Sequence, residues 1–183
     1  MKDIDRGWKH IVREMEKLDG RVIHAGLFRG KKHKSPENRK GRKRLPDMVD
    51  IGVWNEYGAH PHVSDAIRPY FHKMGFHLKK STTTLTIPSR PFMRTSADDK
   101  GNEWQEKAAE LIGAVTDGKM TTPAALNALG EAVKAGIQDT IITGDYKDNH
   151  PFTISQKEST NTLVASGQLQ LAIDFKIKRK GGE

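Results

Sequence analysis

Apolar residues recur at helical spacing in four stretches of this chain and alternate with polar ones in two. In residues 3–18, Ile4, Trp8, Ile11, Met15 and Leu18 form one stripe with Lys, Arg and Glu between them, which predicts an amphipathic helix stopped by Gly20. Ile23, Ala25 and Leu27 alternate through Arg21–Phe28, predicting a strand. Asp47 is placed to cap a short helix through Met48, Ile51, Trp54 and Tyr57, closed by Gly58. Phe76–Leu78 and Leu85–Ile87 read as two short strands joined through Lys80–Thr83, because β-branched threonines fit a pleated ribbon.

Further on, Trp104, Ala108, Leu111, Ile112 and Val115 give a second helical stripe, broken at Asp117-Gly118. Thr122-Pro123, a capping hydroxyl followed by proline, restarts a helix carrying Leu126, Leu129, Val133, Ile137 and Ile141 to Gly144. Residues 144–164 are expected to be loop with a helical piece near Ser155–Ser159. Leu169, Leu171, Ile173, Phe175 and Ile177 alternate with polar partners, predicting a last strand with one face in water. Trp8, Trp54 and Trp104 sit on apolar stripes and are expected in the core. Together these elements predict an α+β fold: a small, mainly antiparallel sheet covered by two or three amphipathic helices, with long loops.

A chain of 183 residues is most simply one domain, 1–183, with residues 61–91 as loop and hairpin and 178–183 as a frayed tail. No run approaches the ~20 apolar residues that cross a bilayer, so no membrane contact is expected. With no cysteine there is no disulfide, thiolate metal site or thiol nucleophile. The net charge of +8 is concentrated. Arg29, Lys31, Lys32, Lys34, Arg39, Lys40, Arg42, Lys43 and Arg44 face a single acid, Glu37, inside one segment. Gly30, Pro36, Gly41 and Pro46 deny that segment either periodicity, so 29–46 reads as a mobile basic loop insert. Clustered Lys and Arg neutralise phosphates without a sequence code, and no aromatic side chain among them offers base stacking. Docking onto an acidic protein surface is the alternative use, and a merely solvated insert the plainest one.

Catalytic patterns are absent: there is no G-x-S-x-G, H-E-x-x-H, P-loop or G-x-G-x-x-G. His60, His62, His72 and His77 fall in one irregular region but repeat no ligand spacing, so no metal or other cofactor and no enzyme activity is expected. Ile87-Pro88-Ser89-Arg90-Pro91-Phe92-Met93-Arg94 stands out. Its prolines impose an extended strut, leaving Phe92 to point inward between the hairpin and the next helix, with Arg90 or Arg94 as a polar anchor. Gly58 and Gly167 read first as turn glycines, with Ser166 and Gln168 able to bond the second turn.

Asn55-Glu56-Tyr57-Gly58, the following hairpin, the Pro88, Arg90, Pro91, Phe92 motif and Ser166-Gly167-Gln168-Leu169 occur in an order that resembles the phage virion-morphogenesis family. These are the tail-completion proteins of Mu-like and related tailed phages, more distantly similar to the minor tail and neck proteins of lambdoid phages. The resemblance spans roughly residues 21–178, and the I-P-x-R-P-F part is its most specific piece. It implies a structural virion protein that completes the tail or neck and joins tail to head. Such a protein is expected to form a homo-oligomeric ring, a hexamer, around the DNA channel, between tail tube or tail terminator proteins and head connector proteins. It would be made in the host cytoplasm and end in the virion. The basic insert is longer and more charged than the family pattern, so the resemblance assigns it no role. A non-catalytic nucleic-acid-binding module acting off the particle through that loop is the rival reading.

Overall fold

A computed structural model of the chain describes residues 7–31, 46–156, 161–164 and 166–180. Their elements are, in order, α1 (Trp8–Leu18), β1 (Arg21–Leu27), α2 (Met48–Tyr57), α3 (Arg68–Lys73), α4 (Phe92–Thr116), α5 (Thr122–Thr143), α6 (Pro151–Gln156), α7 (Gln168–Ala172) and β2 (Ile173–Arg179). The fold is α+β, with a small antiparallel sheet. β1 and β2 pair from Arg21 opposite Arg179 to Leu27 opposite Ile173. This sheet lies across α5, α4 packs back along α5 as a long helical hairpin, and α1 rests against both helices. A Cβ at Gly130 would sit 2.2 Å from the Phe175 ring, so glycine there is what lets β2 lie directly on α5.

One apolar cluster organises this arrangement: Met48, Phe92, Ile137, Ile141, Leu163, Leu169, Ala172 and Ile173 are buried together. Leu111, Val115 and Ala125 form a second, smaller core at the far end of the α4–α5 hairpin. Phe71, Phe76 and Phe152 make a third contact. The Phe76 and Phe152 rings stack 4.6 Å apart and tie the segment around α3 to α6.

Several expectations are corrected. The last strand begins at Ile173, not Leu169, because residues 168–172 form the helical turn α7. Leu171 is therefore 73% exposed, whereas Leu169 still packs inward. The fraying expected from residue 178 is not seen at its first residues: Lys178 and Arg179 belong to β2, and the Lys180 N–H donates to the Gly20 carbonyl, while residues 181–183 lie outside the described residues. Phe76–Leu78 does not pair with Leu85–Ile87. Residues 83–87 instead pair with 59–63, through Ala59 N–H to Ile87 O at 3.0 Å and Leu85 N–H to Pro61 O at 3.0 Å. Phe76 is drawn away by its aromatic partners. The helical piece expected near Ser155–Ser159 starts earlier, at Pro151, and residues 157–160 lie outside the described residues. Trp104 packs against the main core, but Trp8 and Trp54 are 70% and 43% exposed.

The cap expected at Thr122 is also different. Thr121 occupies the N-cap position of α5 and makes no side-chain cap bond. The orphan N–H of Thr122 goes instead to the Glu14 carboxylate of α1 at 2.7 Å, while the Thr122 hydroxyl donates to the Glu14 carbonyl at 2.6 Å. A carboxylate at a helix N-terminus accepts free N–H groups and meets the positive end of the helix dipole. The Lys17 ammonium and the Thr122 N–H together hold the Glu14 carboxyl down at about 2, against an ordinary value of 4.5.

Two predictions follow from this packing. Ile173→Ala should cost about 2–5 kcal/mol in urea denaturation, and Leu171→Ala less than about 0.5, since only the first empties a packed site. Equal losses would mean the α7–β2 boundary is wrong. Glu14 binds a proton less readily when folded, so its contribution is present above about 4.5 and is lost as pH falls through about 2. Between those values Glu14→Gln should lose less melting temperature than the parent chain, while being the less stable of the two near neutrality.

Candidate functional site

The three sequence pieces that stand out are far apart in the chain but meet in space. Asp47 opens α2 with a capping box: its carboxylate accepts from Val49 N–H at 3.0 Å, and Asp50 accepts from the Asp47 N–H at 3.3 Å. The helix runs to Tyr57 and delivers Asn55, Glu56, Tyr57 and Gly58 to the proline-rich segment. The Asn55 amide donates to Ile51 O at 2.8 Å, and the Asn55 carbonyl accepts from Arg90 N–H. Ser89 donates its hydroxyl to Glu56 O at 2.7 Å. Gly58 has φ 77°, and a Cβ there would stand 2.9 Å from Ile87 O and 3.1 Å from Ser89 N. Both backbone angle and space therefore require glycine at this crossing.

The proline strut is shorter than expected. Pro88 lies outside any helix, but Pro91 is the N-cap of α4, and Phe92 is its first residue. Proline has no hydroxyl or carboxylate to cap with, so α4 needs a cap from elsewhere. Glu56 supplies it: the carboxylate accepts from Met93 N–H at 2.9 Å and Arg94 N–H at 3.1 Å. Arg94 closes the arrangement from outside, donating from Nε to Glu56 Oε1 and from Nη2 to Glu56 O, each at 3.1 Å, with its guanidinium 5.3 Å from the Tyr57 ring centre. Phe92, fully buried, is thus aimed into the core by the turn that ends at Pro91.

Arg90 points the other way and is 5% exposed. Its guanidinium donates to Lys147 O at 3.0 Å, Asp148 O at 3.4 Å and Asn149 Oδ1 at 3.1 Å, fastening the stretch after α5. Burial draws its pKa below the ordinary arginine value, with the Asp148 charge working the other way. Tyr146 in the same stretch donates to Thr140 O at 2.8 Å. Burial pushes its phenol up to about 12, with Glu56 and Asp99 adding to the effect. Asn149 passes the connection on to Thr162 O at 2.9 Å, and Leu163 enters the main core beside it.

The third piece closes the same core. Gly167, with φ 69°, is the N-cap of α7, and Gln168 donates to the Ser166 hydroxyl at 2.9 Å. Leu169 then packs in the cluster that holds Phe92 and Met48. Both arginines offered as anchors serve, each on its own partner. What sequence reasoning missed is the role of Glu56 and Glu14 as borrowed caps. The available signal was a long helix starting at Pro91-Phe92 with no capping side chain of its own.

Of the basic segment, only its ends are in view. Lys31 bonds Asp174 at 3.2 Å and the Ala172 carbonyl at 3.4 Å, and Arg29 lies 3.9 Å from Asp50. The Lys31 hydrogen bond holds the Asp174 carboxyl below the usual carboxylate range. Met48 N–H donates to Lys31 O at 2.9 Å, and Gly30 N–H to Asp47 Oδ2 at 2.9 Å. The two ends of the insert are thereby pinned side by side at the start of α2. Lys32, Lys34, Arg39, Lys40, Arg42, Lys43 and Arg44 lie outside the described residues. Among the described residues of the segment, Arg29 and Lys31 both have carboxylate partners within the chain.

Among the described residues no three His, Asp or Glu side chains gather as a metal site. His72 and His77 do meet edge to face, with ring centres 4.5 Å apart. No helix of the described residues is long and apolar enough to cross a membrane. Val53, Trp54 and Tyr57 are 48%, 43% and 68% exposed along the outer side of α2. Beside them a groove of about 400 Å3 runs between α2, Leu27 and the start of α4. It shares Met93 and Ala97 with a second groove of about 510 Å3 that reaches Ile23 and Ala25 of β1. No family model, curated protein or solved structure matches this chain.

Gly58→Ala should destabilise the fold by more than about 1 kcal/mol, since a Cβ adds strain and a clash at one point. Glu56→Ala should cost about 1–3 kcal/mol, the worth of hydrogen bonds to a charged acceptor. Chemical denaturation checks both, and a Gly58→Ala chain as stable as its parent would remove the crossing from the argument.

Proposed function

We propose that this chain is a non-catalytic structural protein of a tailed phage particle, completing the tail or neck and joining tail to head. The carrying observation is the convergence of the resembling segments. Asn55–Gly58 clamps Pro88–Arg94, and Leu169 shares a core with Phe92. Pieces that form one interlocked unit support reading them as one family pattern, not as separate chance matches.

The surface supports an assembly role. A chain of this size that leaves Trp8, Val53, Trp54, Tyr57 and Leu171 in water has apolar area to bury against neighbours. In this reading identical subunits, six of them, close a ring around the DNA channel through heterologous contacts. Tail tube or tail terminator proteins lie on one side and head connector proteins on the other. The chain is made in the host cytoplasm and ends in the virion. The seven outer cations of residues 32–44 then face DNA or an acidic partner ring, with the pinned ends of the insert fixing where they emerge.

Quantitative mass spectrometry of purified particles should find the chain at a fixed copy number per particle. Lysates lacking it should accumulate unjoined heads and tails. Its absence from particles would leave the rival reading, a nucleic-acid-binding module acting off the particle.

A further inference from the structure

A second cationic surface lies outside the basic insert. Between Ala59 and Ser89 the chain carries Arg68, Lys73, Lys79, Lys80 and four histidines against a single acid, Asp65. Lys79-Lys80-Ser81-Thr82 is a tight turn, closed by Thr82 N–H to Lys79 O at 3.0 Å. Arg68 builds it from below. Its guanidinium donates to Lys79 O at 3.0 Å, Lys80 O at 3.4 Å and Thr82 O at 2.6 Å. The same side chain meets Asp65 at 3.4 Å, so the acid of the segment is already engaged. Beyond the turn, Val63 N–H to Thr83 O at 2.8 Å anchors the descending limb, and the stacked Phe76 and Phe152 rings brace the limb that enters.

This construction gathers three carbonyls inward and leaves Lys79, Lys80, Ser81, Thr83 and Thr84 exposed. Neither lysine ammonium has an ion-pair partner among the described residues. Lys73, also exposed, follows His72, whose ring touches His77 two positions before Lys79.

We propose that the Lys79–Thr84 turn, with Lys73, is a contact site for the phosphate backbone of duplex DNA. Ammonium and hydroxyl donors on a pre-shaped turn are the groups that bind phosphate oxygens and fix a protein's position without reading bases. The same tip suits a protein partner poorly. It offers no apolar or aromatic anchor, and lysine and serine are depleted in protein interfaces. Arg68 acts as a positioning residue, since only a planar fork reaches three carbonyls at once. The site depends neither on the ring nor on the basic insert.

The test uses the whole chain and a duplex of mixed sequence, with affinity measured across a salt series. Lys73→Gln, Lys79→Gln and Lys80→Gln together should weaken binding on the order of tenfold or more and lower the log–log salt slope by about 2–3. Arg68→Lys keeps the charge but loses the fork, and should weaken binding with circular dichroism unchanged. A triple variant with parental affinity and slope overturns the site. So does a parent chain that fails to bind duplex at low salt, or a triple variant that loses only binding to a polyglutamate probe. A set neutralising Lys31, Lys32, Arg42, Lys43 and Arg44 separates the two surfaces. If it alone abolishes binding, DNA contact belongs to the insert and the turn proposal fails, while the particle assay still decides the virion reading.

Discussion

Both long helices of this protein begin without a cap of their own, and the fold depends on how that deficit is met. α4 starts at Pro91 and α5 at Thr121, and neither residue bonds the orphan N–H groups of the first turn. Leaving such groups buried and unpaired costs more than a hydrogen bond normally returns. Each helix borrows a glutamate from an element earlier in the chain: Glu56 of α2 for α4, Glu14 of α1 for α5. Each donor helix is thereby fixed against the end of the helix it serves. The same bonds that stabilise the helices also set the angles between them.

The proline-rich motif gains its meaning from this dependence. Pro91 sharpens the start of α4 but removes any local cap, so the segment needs Glu56 and cannot stand alone. Gly58 is needed because the chain leaving α2 crosses the segment at backbone contact distance. Arg90 and Arg94 then divide the surroundings. Arg94 shields the Glu56 carboxylate from the solvent side, while Arg90 binds the stretch from Lys147 to Asn149. That stretch passes through Asn149 and Thr162 to Leu163, and so to the core that Phe92 and Leu169 share. Loss of one motif would loosen the others, which is a physical reason for them to occur as a set.

The amphipathic stripes of α1, α2, α4 and α5 and the first strand were legible in the sequence because local periodicity marked them, and at α2 a local cap agreed with it. Asp47 and Asp50 lie within one turn of the helix they start, and β1 alternates cleanly. Legibility ended where a long-range partner decided the outcome. Leu169–Ile177 alternates throughout, yet Gly167 starts a helical turn that carries Leu171 into water before Ile173 enters the sheet. Phe76 has strand propensity, but three rings claim it for an aromatic contact with α6. Of the candidate site, the residues were readable and their partners were not. Nothing near Glu56 in sequence announces Met93 and Arg94, which lie thirty-seven and thirty-eight positions on.

The distribution of charge follows from the same architecture. Glu14, Glu56, Asp47, Asp50 and Asp174 are committed to caps or to cations inside the chain. Those acids neutralise the protein where elements join, and they bind Arg94, Lys31 and Lys17 in doing so. Lys79 and Lys80, by contrast, stand on a turn whose carbonyls Arg68 gathers and whose one nearby acid is already taken. A surface cation with no carboxylate in ion-pair reach is available to a phosphate, and such a contact releases the cations condensed on the polyanion. Joints that consume acids therefore leave the Lys79–Lys80 turn with a local positive field that no ion pair among the described residues cancels.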